Sequence, residues 1–143
     1  MNNKTKIMVK ALINAPVEKV WSCYTQPEHI TKWNFASDDW CCPNAVNDLK
    51  VGEKFSWRME AKDKSNGFDF EGIYTEIIPH QKIAYRMLDN REAEIIFNAI
   101  ENQTEVIITF EAEKVFPIEM QKAGWQSILN NFKRYVESEN YSA

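Results

Sequence analysis

Glycine is scarce in this sequence, and its scarcity excludes several common nucleotide-binding sites. The 143 residues include 4 glycines. The chain carries neither G-x-G-x-x-G nor the P-loop, the two glycine-rich motifs that cradle phosphates. It also lacks G-x-S-x-G, the turn that presents the nucleophile of many hydrolases. The sequence therefore predicts neither a phosphate-binding loop nor an esterase-type serine.

Few side chains are available to hold a metal ion. There are 2 histidines, His29 and His80, and 3 cysteines, of which Cys41 and Cys42 are adjacent. Adjacent cysteines do not share a metal in the manner of C-x₂-C, because the chain between them is too short. We therefore expect no metal and no other cofactor.

Positive charge is in deficit and is not clustered. Lys plus Arg number 17 against 21 Asp plus Glu, which gives a net charge of −4. Nucleic acids and anionic membranes require a basic surface, so we expect neither as a partner. The chain also lacks the apolar core of a signal peptide and the run of about 20 apolar residues that spans a membrane. Because the cysteines are few and odd in number, we predict a cytoplasmic protein with free thiols.

Two prolines mark short helices that follow a first strand, which is predicted within Lys4–Ile13. Pro16 precedes an apolar stripe at helical spacing that ends at Tyr24, and Pro27 opens the segment PEHITKW. Proline is favoured in the first helical turn, where its missing N–H is not needed. The pattern therefore predicts two consecutive helices after strand 1.

The longest predicted helix begins at Pro117 and ends near Glu137. Its apolar side chains recur at i, i+3 and i+4, as on a helix that covers a sheet. Gly124 lies in the helix interior beside Trp125, where glycine costs stability relative to alanine. This placement predicts a close approach of another backbone at Gly124.

Between these helices, apolar and polar residues alternate with a period of two in segments joined by short turns. Such segments are antiparallel neighbours with one apolar face. Residues 34–51 show no period and are predicted to form an ordered loop with a short strand near Asp48–Lys50. We therefore predict an α+β fold in a single domain over residues 1–143. Its curved antiparallel sheet of about six to seven strands is wrapped on the long C-terminal helix.

Four stretches together resemble one protein family. They are INAPVEKVW at 13–21, TQPEHITKW at 25–33, GIYTEIIP with KIAY at 72–85, and GWQSIL at 124–129. The first resembles the family's opening "hydrophobe-x-A-P-x-x-x-V-W", and the last resembles its helix signature "G-W-x-x-x-L". In order and spacing the sequence is similar to the START-like helix-grip superfamily, also called SRPBCC or Bet v-like. Within it, the closest similarity is to the activator of heat-shock-protein ATPase homologue (Aha-type C-terminal domain) family.

The resemblance implies a helix-grip fold with a deep apolar cavity between the sheet and the long helix. It implies no universal catalytic residue, and in different branches the ligands are lipids, polyketides, quinones or plant hormones. The eukaryotic chaperone activators carry this domain after a separate N-terminal domain, whereas this chain starts at the first strand. This difference argues against stimulation of a chaperone and leaves a weak contact with one open.

We predict a module that binds a small hydrophobic or amphipathic molecule, rather than an enzyme. Aromatic residues make up 13% of the chain, and Gly72 is expected to leave a gap among those on the inner sheet face. If the rings instead pack tightly, they fill the core and leave no cavity. The expected ligand-binding residues are Trp33, Phe35, Trp40, Trp57, Met59, Phe70, Tyr74, Tyr85, Trp125 and Leu129. Polar contacts are expected from Asp38, Asn44 and Asn47.

Two alternative functions stay open. A polyketide-cyclase-like or hydrolase-like enzyme would use the same cavity, with Asp38 or Asp39 as an acid or base whose pKa is raised by desolvation. A protein-interaction domain of the chaperone-regulator type would use the outer sheet face, where Ile73, Ile96 and Ile107 are apolar. The same outer surface would support a homodimer.

Overall fold

A computed structural model describes residues 5–138 of the chain. It contains an antiparallel sheet, two short helices after the first strand and a long helix after the last. The elements are β1 (Lys6–Ile13), α1 (Val17–Thr25), α2 (Pro27–Trp33), β2 (Trp40–Asn47), β3 (Lys54–Ala61), β4 (Gly67–Ile78), β5 (Lys82–Met87), β6 (Glu92–Ile100), β7 (Gln103–Glu111) and α3 (Ile118–Ser138). The predicted α+β helix-grip fold is confirmed.

The seven strands form a curled sheet in the order β1-β7-β6-β5-β4-β3-β2. Strands β2 to β7 follow one another as a meander because the turns between them are short. Strand β1 pairs with β7 at the opposite edge, where Lys6 lies across from Glu111 and Ile13 from Thr104. The first and last strands in the sequence are therefore neighbours in the sheet.

Alternation along the strands places one face of the sheet in the core. On β3, Phe55, Trp57 and Met59 are buried, and the residues between them are partly exposed. The short helices pack against β2 and the β6–β7 region, and α3 packs against β1 and both short helices. Leu129 and Phe132 are fully buried on the inner side of α3. The concave sheet face and α3 thus enclose the interior between them.

Glu71 shows how the other face of the sheet is organised. It lies on β4 and accepts a hydrogen bond from Ser56 Oγ at 2.8 Å. Lys54 Nζ on β3 lies 3.3 Å from the second carboxylate oxygen. The hydroxyl and the ammonium favour the charged form and hold the pKa of Glu71 below its usual value. This face therefore carries cross-strand polar pairs, as expected for a sheet that is covered on one side.

Strand β2 spans Trp40–Asn47, and the prediction of a loop with a short strand near Asp48–Lys50 is wrong. The register of β2 against β3 shifts between Cys41 and Asn44, which interrupts the alternation of buried and exposed residues. Pro43 also lies in this strand, which is tolerated because β2 is at the edge of the sheet. Both features remove the period of two by which a strand is recognised in a sequence.

Gly72 does not leave a gap, contrary to the expectation from the sequence. A Cβ atom at Gly72 would lie 2.8 Å from the ring of Phe55 and 2.9 Å from the carbonyl oxygen of Arg86. Phe55 is fully buried, so its ring already occupies the space that the missing side chain leaves. The spacing of residues along one strand does not predict whether a ring from the neighbouring strand fills the space beside a glycine.

Candidate ligand-binding site

A cavity of about 570 Å³ lies between the concave sheet face and α3. Its volume falls in the range of pockets that hold drug-sized ligands, roughly 300–1,000 Å³. Most of its lining is apolar or aromatic. The lining residues are Tyr24, Trp33, Asn34, Ala36, Ser37, Trp40, Trp57, Met59, Phe68, Phe70, Tyr85, Arg91, Ile108, Glu113, Phe116, Met120, Gln121, Gly124, Trp125, Ile128, Leu129 and Phe132.

Trp125 forms part of the helix wall, and its ring is held by aromatic contacts. It stacks on Phe110 of β7 with ring centroids 3.9 Å apart and an interplanar angle of 12°. It also meets the edge of Phe70 across the cavity at 6.1 Å. The preceding residue, Gly124, lines the cavity and has no atom within 4 Å of the position of a Cβ. The predicted close backbone approach at Gly124 is therefore wrong, and open space lies beside this residue.

Trp33 closes one end of the cavity and is fixed by hydrogen bonds. Its indole Nε1–H donates to the carbonyl oxygen of Cys23 at 2.8 Å. Asn131 of α3 donates from Nδ2 to the carbonyl oxygen of Trp33 at 2.9 Å. Tyr24 and Phe132 contact the Trp33 ring, with centroids 5.1 Å and 4.8 Å away. This end of the cavity is thus closed by contacts among α1, α2 and α3.

Trp57 lines the opposite wall and differs from Trp33 in its hydrogen bonding. Its side chain is 5% exposed, and its ring packs beside Phe55 at 4.6 Å and Phe70 at 5.7 Å. Its Nε1 atom is buried and has no hydrogen-bond partner among the described residues. Buried polar atoms in proteins are almost always hydrogen-bonded. The wall therefore holds one indole donor that the protein does not satisfy.

Two of the lining residues are tyrosines. Tyr24 lies on α1 and Tyr85 on β5, and both are buried and line the cavity. Burial disfavours the phenolate and raises the pKa of each hydroxyl above its ordinary value. Both groups are therefore neutral phenols at physiological pH and can donate or accept a hydrogen bond.

The rim of the cavity carries its charged groups. Arg91 donates from Nε to Asp89 Oδ2 at 2.7 Å and from Nη1 to the Glu111 carbonyl oxygen at 3.3 Å. Glu113 Oε1 accepts a hydrogen bond from the backbone N–H of Phe116 at 3.0 Å. Each charged group of the rim thus already has a protein partner.

The loop between β7 and α3, residues 112–117, is tied to the helix by one side chain. Gln121 is buried and donates from Nε2 to the carbonyl oxygens of Glu113 at 3.2 Å and Phe116 at 2.8 Å. Its Oε1 accepts from the backbone N–H of Glu113 at 2.9 Å. Phe116 and Met120 remain 53% and 60% exposed while they line the cavity mouth. The mouth therefore has an apolar edge formed by Phe116 of this loop and Met120 of α3.

Eight of the ten apolar and aromatic residues proposed from the sequence line this cavity, and two do not. Those that line it are Trp33, Trp40, Trp57, Met59, Phe70, Tyr85, Trp125 and Leu129. Phe35 lies outside the lining and is partly exposed. Tyr74 is also outside, and its hydroxyl donates to Asn47 Oδ1.

The proposed polar contacts lie elsewhere. Asn47 donates from Nδ2 to the Thr25 carbonyl oxygen at 2.6 Å and, with Tyr74, ties the end of α1 to the sheet. Asp38 and Asn44 are exposed and outside the lining. Asp39 is also exposed, and its Oδ1 accepts a hydrogen bond from Ser37 Oγ at 2.5 Å. The structure therefore brings together the rings but not these polar groups.

Several lining residues were not proposed from the sequence. Tyr24, Ile128 and Phe132 belong to the apolar stripes of α1 and α3, so helical spacing could have indicated them. Arg91 and Glu113 lie in connecting segments, where no periodicity shows which way a side chain points. Their place at the rim follows from the path of the chain between strands.

The cysteines and acidic residues do not assemble a metal site in the described part of the chain. None of Cys23, Cys41 and Cys42 forms a disulfide within residues 5–138. Burial raises the pKa of Cys42 to about 11, which keeps it protonated at neutral pH. Within residues 5–138, no group of three or more His, Cys, Asp or Glu side chains is placed to hold a metal ion. In the same range, no helix is long and apolar enough to cross a membrane.

Comparison with known families and structures identifies the group to which this architecture belongs. The family model described as activator of Hsp90 ATPase homolog 1-like protein matches residues 14–137. The chain belongs to this family. The family lies within the START-like, or SRPBCC, superfamily, which confirms the resemblance in the sequence motifs. No curated protein is significantly similar to the chain.

Three solved structures show how widely the fold extends. An AHSA1-like protein from Aeromonas hydrophila is 40% identical, with a TM-score of 0.89 over 97% of this chain and 99% of that chain. A protein from Cytophaga hutchinsonii is 41% identical, with a TM-score of 0.81 over 96% and 97% of the two chains. A protein from Chromobacterium violaceum shares the fold at 22% identity, with a TM-score of 0.82 over 94% and 98%. Family membership is consistent with a helix-grip ligand-binding domain.

Proposed function

We propose that this protein binds a small hydrophobic or amphipathic molecule in the cavity between its sheet and α3. The observation that carries the proposal is the cavity itself, about 570 Å³ of space lined mainly by aromatic and aliphatic side chains. Burying an apolar molecule there removes both its surface and the lining from water, at roughly 25 cal/mol per Å². We further propose a cytoplasmic setting, in keeping with three cysteines that form no disulfide among the described residues.

The arrangement of carboxylates favours binding over catalysis. An acid or base that transfers a proton within the cavity needs a carboxyl group that faces the bound molecule. Asp38 and Asp39 are exposed and outside the lining. Glu113 is the carboxylate among the described lining residues, and its Oε1 accepts the backbone N–H of Phe116 at the mouth. The interior surface is thus composed of groups that hold a ligand rather than groups that exchange protons.

The test is a titration with N-phenyl-1-naphthylamine, a neutral apolar fluorophore. We expect saturable binding of one molecule per chain. We also expect the protein to be stabilised by RT ln(1 + [L]/Kd), about 2.7 kcal/mol at one hundred times Kd. If fluorescence rises without saturation and the melting temperature does not change, the cavity proposal is wrong. An interaction surface on the outer sheet face then becomes the better hypothesis.

A matched pair of variants locates the binding. Gly124→Leu places a side chain in the open space beside the cavity and is expected to weaken binding at least tenfold. Ala123→Leu adds a side chain to the neighbouring, exposed position of α3, which does not line the cavity, and should leave the affinity unchanged. Equal affinities for the two variants would show that the fluorophore binds somewhere else.

A further inference from the structure

We propose that the hydroxyl groups of Tyr24 and Tyr85 form a polar contact point inside the cavity, and that the ligand carries a neutral carbonyl or hydroxyl oxygen that binds there. The inference rests on the proposed function and specifies the class of molecule that the cavity accepts. It starts from a difference among the three buried tyrosines of the described chain, Tyr24, Tyr74 and Tyr85.

The hydroxyl groups of these tyrosines differ in their hydrogen bonding. The Tyr74 hydroxyl donates to Asn47 Oδ1, and Tyr74 lies outside the cavity lining. The hydroxyls of Tyr24 and Tyr85 make no hydrogen bond within residues 5–138, although these side chains are 7% and 2% exposed. Most buried polar side-chain atoms in proteins are hydrogen-bonded. Two hydroxyl groups are therefore left to pair with a bound molecule.

The two unpaired hydroxyls are accessible from inside the protein, whereas the unpaired Trp57 indole is not. Among the described residues, Trp57 Nε1 is the unpaired side-chain nitrogen or oxygen with almost no accessible surface. The oxygens of Tyr24 and Tyr85 are not in this state, so each keeps some accessible surface. Both residues are buried and both line the cavity, so we assign this surface to the cavity.

Both tyrosines belong to the interior of the cavity and not to its mouth. Tyr24 of α1 packs against Phe132 of α3 with ring centroids 5.2 Å apart. Phe132 and the mouth residue Met120 lie on the same helix, roughly 18 Å apart at a rise of 1.5 Å per residue. Burial is the main cause of the raised pKa of Tyr85, and the nearby Tyr24 hydroxyl adds to it. The two hydroxyls therefore lie in one region of the interior.

The chemistry of this region selects a neutral oxygen group. A buried phenol both donates and accepts, so a ligand carbonyl can accept from both tyrosines, and a ligand hydroxyl can accept from one and donate to the other. The rings of Phe97 and Phe132 contact Tyr24. Arg91, the cation among the described lining residues, is engaged by Asp89 and by a backbone carbonyl at the rim. A carboxylate in the interior would lose its hydration without full compensation.

Matched probes and variants test the inference by calorimetric titration. Benzophenone and diphenylmethanol carry a carbonyl and a hydroxyl between two phenyl rings, and 1,1-diphenylethylene replaces the carbonyl oxygen with CH₂. In Tyr24→Phe and in Tyr85→Phe, the affinity of each oxygen probe relative to 1,1-diphenylethylene should fall about fivefold, the effect of one hydrogen bond. Tyr74→Phe is the control, because it removes a hydroxyl outside the lining and should leave these ratios unchanged. Diphenylacetate, a carboxylate, should bind at least tenfold more weakly than benzophenone.

A spectroscopic readout separates hydrogen bonding from packing. The carbonyl stretching frequency of ¹³C-labelled benzophenone falls when its oxygen accepts a hydrogen bond. Bound to the native protein, benzophenone should absorb at a lower frequency than in cyclohexane, and the frequency should rise in Tyr24→Phe and Tyr85→Phe. A frequency in the native protein equal to that in cyclohexane overturns the inference. The native measurement remains decisive even if a variant folds poorly.

The outcomes distinguish this inference from the proposed function. If the probes bind but the ratios stay the same in Tyr24→Phe or in Tyr85→Phe, the paired contact is wrong and the cavity proposal stands. If diphenylacetate binds as tightly as benzophenone, the assignment of a neutral ligand is wrong. If no diphenyl probe binds, the inference is wrong, and the titration with N-phenyl-1-naphthylamine decides separately whether the cavity proposal stands.

Discussion

Replacing glycine by alanine is expected to have opposite effects at Gly124 and Gly72. At Gly124, in the interior of α3, an added Cβ meets no atom within 4 Å. Alanine is favoured over glycine in a helix interior by about 0.8–1.0 kcal/mol. With no contact to oppose this preference, Gly124→Ala should stabilise the protein by about that amount. For a urea m-value near 2 kcal/mol/M, the midpoint should rise by about 0.4 M.

At Gly72 the same methyl group enters an occupied space. Its Cβ would lie 2.8 Å from the Phe55 ring, well inside the 3.5–4.0 Å at which carbon atoms attract. Phe55 is fully buried and the second neighbour, the Arg86 carbonyl, is backbone, so neither moves away at low cost. Overpacking of this kind costs about 1–3 kcal/mol. Gly72→Ala should therefore lower the urea midpoint by roughly 0.5–1.5 M.

The assay is urea unfolding followed by tryptophan fluorescence, with the m-value as a control. An unchanged m-value shows that each substitution altered stability rather than the compactness of either state. A lower midpoint for Gly124→Ala would mean that another group occupies the space beside α3. A midpoint for Gly72→Ala at or above that of the unmodified protein would mean that the Phe55 ring is free to move. The first result would refute the packing described beside α3, and the second would refute the packing described at Gly72 of β4.

Three further predictions concern a hydrogen bond, a surface carboxylate and the thiols. Trp33→Phe should cost about 0.5–1.5 kcal/mol in urea unfolding, because the hydrogen bond from the indole N–H to the Cys23 carbonyl oxygen is lost. The depressed pKa of Glu71 gives stability at neutral pH that is lost as the pH falls through that pKa. Glu71→Gln should therefore flatten the acid limb of a plot of stability against pH. Alkylation in denaturant without reductant should add three groups, and in the native protein Cys41 should react before the buried Cys42, which mass spectrometry would show.

Much of the fold was predictable because its signals are local. Alternation in β3 and the stripe on α3 arise from the same burial that forms the core, so the sequence records them directly. Strand β2 was missed because Pro43 and the shift in register near Cys41 interrupt its alternation. An edge strand is held largely by hydrogen bonds to the backbone of its neighbour. Because backbone groups are the same in every residue, this pairing produces no side-chain pattern in the sequence.

The site was predictable in its rings and not in its polar groups. Trp57 and Trp125 were placed correctly because period and face determine which way a core aromatic residue points. Tyr74 lies on the same face of the sheet as Trp57 but outside the lining, and its hydroxyl donates a hydrogen bond to Asn47 on β2. Which of two buried indoles lacks a partner depends on a carbonyl that only the folded chain brings near. No sequence spacing contains that information.

The pairing of β1 with β7 also has a consequence for the order of events during synthesis. About 90 residues separate the end of β1 at Ile13 from the start of β7 at Gln103. At roughly 5–20 residues per second, the ribosome needs on the order of 5–20 s to supply the partner of the first strand. Until then β1 has an unpaired edge, and α3, which packs against it, has not been made. The nascent chain therefore closes its sheet only after β7 has been synthesised, when contacts between distant residues form together and set the folding rate.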